Sequence, residues 1–172
     1  MTSNARPGTR ILGSLRSADG QGVVRVEDRY DTDIDDLWSA LTDPRRLARW
    51  YGQVEGDLRP GGEFHGRLEY WEGTGRVEAC EPPQRLLVTT RGVDESYDEA
   101  IEATLAADGD QTILVIETQG MPLDLVGAYG VGYQIHAENL AAHLAGRELA
   151  DGEARWVELV PAYQDLAANI GR

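Results

Sequence analysis

The sequence predicts an α+β fold of the helix-grip kind: a curved antiparallel sheet wrapped around one long C-terminal helix, with two short helices closing one end. Three observations predict it. Turns recur through residues 59–120 at intervals suited to a meander of antiparallel strands. The apolar period then lengthens: Val126, Tyr129, Tyr133, His136, Leu140 and Leu144 fall three or four residues apart. That pattern, from Leu125 to Arg147, makes a helix about 33 Å long. A sheet with one apolar face must be covered, and this helix is the element long enough to cover it.

In chain order, residues 1–22 read as a disordered tail, rich in Ser, Gly and Arg, with Pro7 and little apolar content. Residues 23–172 are expected to form one domain, with a C-terminal extension from about residue 150. Val24, Val26 and Tyr30 alternate with Arg25, Glu27 and Arg29 as in a half-buried strand, and Asp28 breaks the apolar set. Thr32 and Asp33 offer N-caps, and Asp35 and Asp36 lie in the first turn, where the helix dipole favours negative charge. Leu37, Trp38 and Leu41 form the apolar stripe of this short helix. Asp43 ends it and caps a second, with Pro44 at its first position and Leu47, Trp50 and Tyr51 along it.

Arg59 to Gly62 is a turn, and from there the chain reads as sheet. Alternation places Phe64, Leu68, Tyr70, Leu86, Val88, Thr90, Ile101, Leu105, Leu114, Ile116 and Thr118 inward. Pro82-Pro83 interrupts the run, since proline cannot sit in a central strand. In the long helix Gly127, Gly130 and Gly132 weaken the first turns by about 1 kcal/mol each relative to alanine. Small residues there allow close approach of the sheet or of a ligand. A last short helix is expected from Pro161, with Tyr163, Leu166 and Ile170 on one side and Trp156 and Leu159 before it. This stripe either packs back on the domain or makes a homodimer contact.

Composition narrows the function. The chain has 172 residues, 41% of them hydrophobic, and a net charge of −14. Such a field repels nucleic acid and anionic membranes, so neither is an expected partner. No run approaches the roughly 20 apolar residues of a membrane span, and the start of the chain has no apolar signal segment. The cytoplasm is the expected compartment. Cys80 is the one cysteine, so neither an internal disulfide nor a thiolate zinc cage is expected. All basic residues are arginine, as a GC-rich bacterial genome would produce.

Several segments in order resemble one family. They are Leu37-Trp38-Ser39-Ala40-Leu41-Thr42-Asp43-Pro44 with Leu47 and Trp50, then Pro60-Gly61-Gly62-Glu63-Phe64, Gly75-Arg76-Val77, Pro82-Pro83-Gln84-Arg85-Leu86 and Asp110-Gln111-Thr112. Together, from about Val23 to Leu149, they resemble the SRPBCC, or START/Bet v1-like, superfamily, in the branch named after the activator of Hsp90 ATPase. Family members often carry Gly-Trp in the long helix, where this chain has Gly132-Tyr133. The resemblance implies a Bet v1-like fold. It leaves the function open, because the superfamily holds lipid carriers, hormone receptors and polyketide cyclases.

The chain has no phosphate-binding glycine loop, nucleophile elbow or His-Glu-x-x-His motif. His136 and His143 are two helical turns apart, too far to share a metal, so no metal and no cofactor is expected. The candidate site is the space between sheet and long helix. Its expected polar lining is Tyr70, Thr90, Thr118, Tyr129, Tyr133 and His136, because buried hydroxyls and imidazoles need partners. The expected function is binding of a small hydrophobic or aromatic ligand. The alternatives are a protein-interaction domain like the Hsp90 activators, or a cyclase or dehydratase in which His136, paired with Tyr133 or Tyr129, is the acid–base group.

Overall fold

A computed structural model describes residues 10–170 of the chain. Eight strands form one antiparallel sheet: β1 (Gly13–Ala18), β2 (Gln21–Tyr30), β3 (Gln53–Gly56), β4 (Glu63–Arg67), β5 (Glu72–Glu81), β6 (Arg85–Gly92), β7 (Glu99–Asp108) and β8 (Gln111–Pro122). Their order across the sheet is β1-β2-β8-β7-β6-β5-β4-β3. Four helices accompany them: α1 (Ile34–Thr42), α2 (Pro44–Trp50), α3 (Val126–Leu144) and α4 (Gly152–Ala168). This is the expected helix-grip architecture. No described helix is long and apolar enough to cross a membrane.

The short helices form where their caps dictate. The Asp33 side chain accepts from Asp36 N at 2.8 Å and that of Asp43 from Arg45 N at 2.9 Å, filling donors that a helix start leaves orphaned. Leu37 and Ala40 of α1 and Leu47 and Trp50 of α2 bury against Leu105, Leu114 and Leu140. The pair thereby seats at one end of the sheet and under the end of α3.

The tail expected over residues 1–22 is corrected from Gly13 onward; residues 1–9 lie outside the described residues. Gly13–Ala18 is an edge strand paired with β2, with Leu15 opposite Val24. The two-residue turn Asp19-Gly20 makes the hairpin, both residues taking positive φ (53° and 78°). Ile11, Leu12 and Leu15 supply the apolar anchors, packing under α3 and α4.

The last helix is also corrected. It starts at Gly152, because Asp151 caps it by accepting from Glu153 N at 3.0 Å. Pro161 lies within it, on its exposed side. Leu159 and Tyr163 are buried against Val131 of α3, while Trp156 remains 40% exposed. Arg155 grips Glu138 of α3 with two bonds of 2.7 Å. Gly130 of α3 serves this packing, since a Cβ there would lie 2.5 Å from the Tyr163 ring, whereas one on Gly132 would meet nothing within 4 Å.

A buried amide ties these parts together. Gln134 Oε1 accepts from Leu12 N at 3.0 Å and from the Tyr163 hydroxyl at 2.5 Å, while its Nε2 donates to Arg10 O at 2.7 Å. The Tyr163 hydroxyl in turn accepts from Gly13 N at 3.0 Å. Replacing Gln134 with Leu removes these bonds from a partly buried seam, leaving the Tyr163 hydroxyl proton and Leu12 N without their acceptor, and unpaired buried groups are costly. The Gln134→Leu variant is expected to lose about 2–4 kcal/mol in urea unfolding. A loss within about 0.5 kcal/mol would mean that the amide does not hold the ends in place.

Candidate functional site

The inner face of the sheet does not meet α3 along its whole length. Between β5–β8, α3 and the α1–α2 pair lies a cavity of about 260 Å³. Its walls are apolar: Val77, Val88, Ile101 and Ile116 from the sheet, and Ala137 and Leu140 from α3. Three of the four tryptophans, Trp38, Trp50 and Trp71, and the one phenylalanine, Phe64, line it. None of its lining residues is an arginine, although the chain has 16.

Glycines make room for two of these rings. A Cβ on Gly75 would lie 2.2 Å from Phe64 Cζ, and one on Gly73 would lie 2.5 Å from Trp71 Cζ2. The rings of Phe64 and Trp71 therefore rest directly on backbone of β5.

The expected polar residues divide. Thr90, Tyr133 and His136 line the cavity. Tyr133 and His136 are half-buried. Thr118 is fully buried, but its hydroxyl donates to Glu99 Oε1 at 2.6 Å and lies outside the lining. Tyr129 also lies outside it; its hydroxyl donates to Glu95 Oε2 at 2.9 Å and pairs with the Tyr97 hydroxyl. Tyr70 is corrected outright. It is 74% exposed and donates to Glu153 Oε1 at 3.2 Å. The chain turns between Leu68 and Trp71, with Leu68 N bonded to Trp71 O at 2.7 Å, so the indole of Trp71 takes the inward place.

Three residues outside the expected set matter here. Glu99, only 4% exposed, accepts from both Thr118 and Tyr133. Burial pushes its carboxyl above the ordinary range, and burial likewise raises the Tyr133 phenol. Tyr51 lines the cavity with its ring 4.8 Å from that of His136. Trp71 is the third. Stepping the alternation back from Ile101 would have placed Glu99 on the inner face.

His136 is the exception to polar satisfaction. Its Nδ1 is buried with no hydrogen-bond partner. Burial pulls its pKa from 6.5 down to about 4, so the ring is neutral at physiological pH. Its ring meets Tyr133 edge-on with centroids 6.2 Å apart, while the Tyr133 hydroxyl goes to Glu99. The expected acid–base pairing of His136 with Tyr133 or Tyr129 is therefore not formed. His143 lies elsewhere, accepting from Arg46 Nε at 3.2 Å. Among the described residues no group of three or more His, Cys, Asp or Glu is placed to hold a metal.

The lowered value of His136 sets a pH dependence. Between 6.5 and about 4 the unfolded chain takes up a proton here and the folded protein does not. Stability therefore falls as pH falls through that window. Glu99 acts with the opposite sign: its raised folded value adds stability at low pH that fades as pH rises through it. On going from about pH 7 to about pH 4.5, the wild type is expected to lose about 2–3 kcal/mol more than His136→Gln in urea unfolding. Parallel pH profiles would show that the imidazole is solvated.

The fold of the chain matches the crystal structure of CalU16 from Micromonospora echinospora, with a TM-score of 0.75 and 28% identity over 91% of this chain and 96% of that one. DynU16, a protein of the dynemicin biosynthetic locus, matches with a TM-score of 0.68 and 24% identity over 78% of this chain and 51% of that one. Mll3558 from Rhizobium loti matches with a TM-score of 0.65 and 22% identity over 72% of this chain and 96% of that one. The latter two likenesses speak to fold alone. No curated protein matches the chain in sequence. The model of the activator of Hsp90 ATPase homolog 1-like protein family matches residues 31–145, from the start of α1 through the cavity walls to the end of α3, and the chain belongs to that family.

Proposed function

We propose that this protein binds a small hydrophobic or aromatic ligand in the cavity beneath α3. The observation that carries the reading is the cavity itself, with its apolar, ring-rich walls. Protein interiors are close-packed, so a gap of about 260 Å³ among apolar side chains and aromatic rings departs from ordinary core packing. Apolar walls with a few polar groups are what ligand pockets have, and this one is just below their usual range of volume.

A reaction of the cyclase or dehydratase kind in the same cavity is the second reading, favoured by the neutral imidazole of His136 on its wall. Binding is preferred over it. General acid–base catalysis works best with a pKa near the operating pH, and burial has pulled His136 down to about 4. A chaperone-activating role rests on family membership alone, which is an associational ground.

A panel of two-ring aromatic compounds tests the proposal by thermal unfolding. At a hundredfold excess over Kd, a ligand adds about 2.7 kcal/mol, which for a chain of this size raises Tm by about 5–10 °C. The Ala103→Leu variant, which fills part of the void, should show a smaller shift with the same compound. No shift with any member of the panel would remove this function.

A further inference from the structure

Two neighbouring rings in the cavity, those of Tyr51 and His136, have polar atoms that the protein leaves unpaired, and this deepens the ligand-binding reading on which it rests. Most inward polar side chains are already satisfied by the protein. The hydroxyls of Thr118 and Tyr133 go to Glu99, that of Tyr30 to Ala137 O at 3.1 Å, and that of Thr42 to Trp38 O at 2.7 Å. Two neighbours are not. Among the described residues the phenol of Tyr51 finds no hydrogen-bond partner, and His136 has its Nδ1 enclosed without one. Both residues line the cavity, with ring centroids 4.8 Å apart.

The enclosed Nδ1 fixes the tautomer. A buried N–H without an acceptor is rarer and costlier than a bare lone pair, so the proton resides on Nε2. The open edge of the imidazole is then a donor, and the adjacent phenol can donate beside it. Two donors side by side, with no acceptor from the protein, suit one oxygen that has two lone pairs.

Charge narrows the class. No arginine lines the cavity, and its one carboxylate, Asp28, has Oδ1 occupied by Arg10 at 3.2 Å and by Arg29 N at 2.8 Å. Glu99 lies close enough to raise the phenols of both Tyr51 and Tyr133 by its charge. The chain as a whole carries −14. An anionic ligand would enter a repelling field with no counter-charge at the end. The indole, phenol and imidazole walls favour a flat ring system by contrast. We infer that the ligand is a neutral aromatic carbonyl compound, an aryl ketone or quinone, its rings among Trp38, Trp50, Trp71 and Phe64 and its oxygen accepting from His136 and Tyr51.

Three probes of nearly equal shape decide this in calorimetric titrations of the full chain: 2-acetylnaphthalene, its hydrocarbon isostere 2-isopropenylnaphthalene, and 2-naphthoate. The ketone is expected to bind about tenfold more tightly than the hydrocarbon, the yield of one or two net hydrogen bonds, with naphthoate weaker than the ketone. Tyr51→Phe and His136→Phe should each reduce the ketone's advantage about threefold, with the ketone-to-hydrocarbon ratio inside each variant correcting for any change in folding. Equal binding of ketone and hydrocarbon by the wild type would overturn this inference while leaving the ligand-binding reading in place. So would naphthoate binding tightest. Binding of none of the three would overturn both.

Discussion

Gln134 ties α3 to the segment before β1 and to α4, and the hollow lies beneath the helix so held. An apolar sheet face and an apolar helix face attract until they touch. Here the helix is also held from its other side. One side of α3 carries Gly130, Gln134 and Glu138, which engage Tyr163, the Leu12–Gly13 backbone and Arg155. The side that faces the sheet carries Tyr133, His136, Ala137 and Leu140. Tyr30 meets the Ala137 carbonyl from β2 and fixes the helix height there. With α1 and α2 wedged under its far end, α3 spans the sheet as a beam set on supports.

Two kinds of buried polar residue then serve two purposes. Glu99, Thr118 and Tyr133 satisfy one another across β7, β8 and α3, so they belong to the fold. Such a network is stable because each member has a partner in a medium where an unpaired group is costly. His136 breaks that rule within a few ångströms of it, its ring 6.2 Å from that of Tyr133. The same rule that explains the first group marks the second as open to an outside partner.

Much of this was legible in the sequence, where the signals are local. Asp33, Asp43 and Pro44 announced α1 and α2 because capping involves residues two or three apart. The change of period after Pro122 announced α3 because side-chain direction follows backbone geometry. The Asp19-Gly20 turn was equally local, and it outweighs the polar composition around it. The site was less legible. Tyr70 fails because a turn at residues 68–71 flips the facing of the chain, and alternation holds only while the strand continues. Thr118 points inward as expected, yet its role depends on where β7 sets Glu99, a contact across 19 residues. Tyr129 shares the face of Tyr133, but it sits near the start of α3, where Glu95 and Tyr97 of the β6–β7 loop claim it. The void itself has no signature at all, since space is a property of what fails to meet.

The glycines of β5 give this last point an evolutionary edge. Phe64 and Trp71 lie on backbone that has no Cβ at Gly75 and Gly73. A methyl at Gly75 would meet only the Phe64 ring and shift that wall of the chamber, whereas at Gly73 it would also strike the Arg91 carbonyl oxygen 2.3 Å away, on the neighbouring strand. Descendants of this scaffold can thus retune capacity by a single-codon step at Gly75 while the helix above stays constant, a route by which one architecture comes to accommodate guests of different sizes.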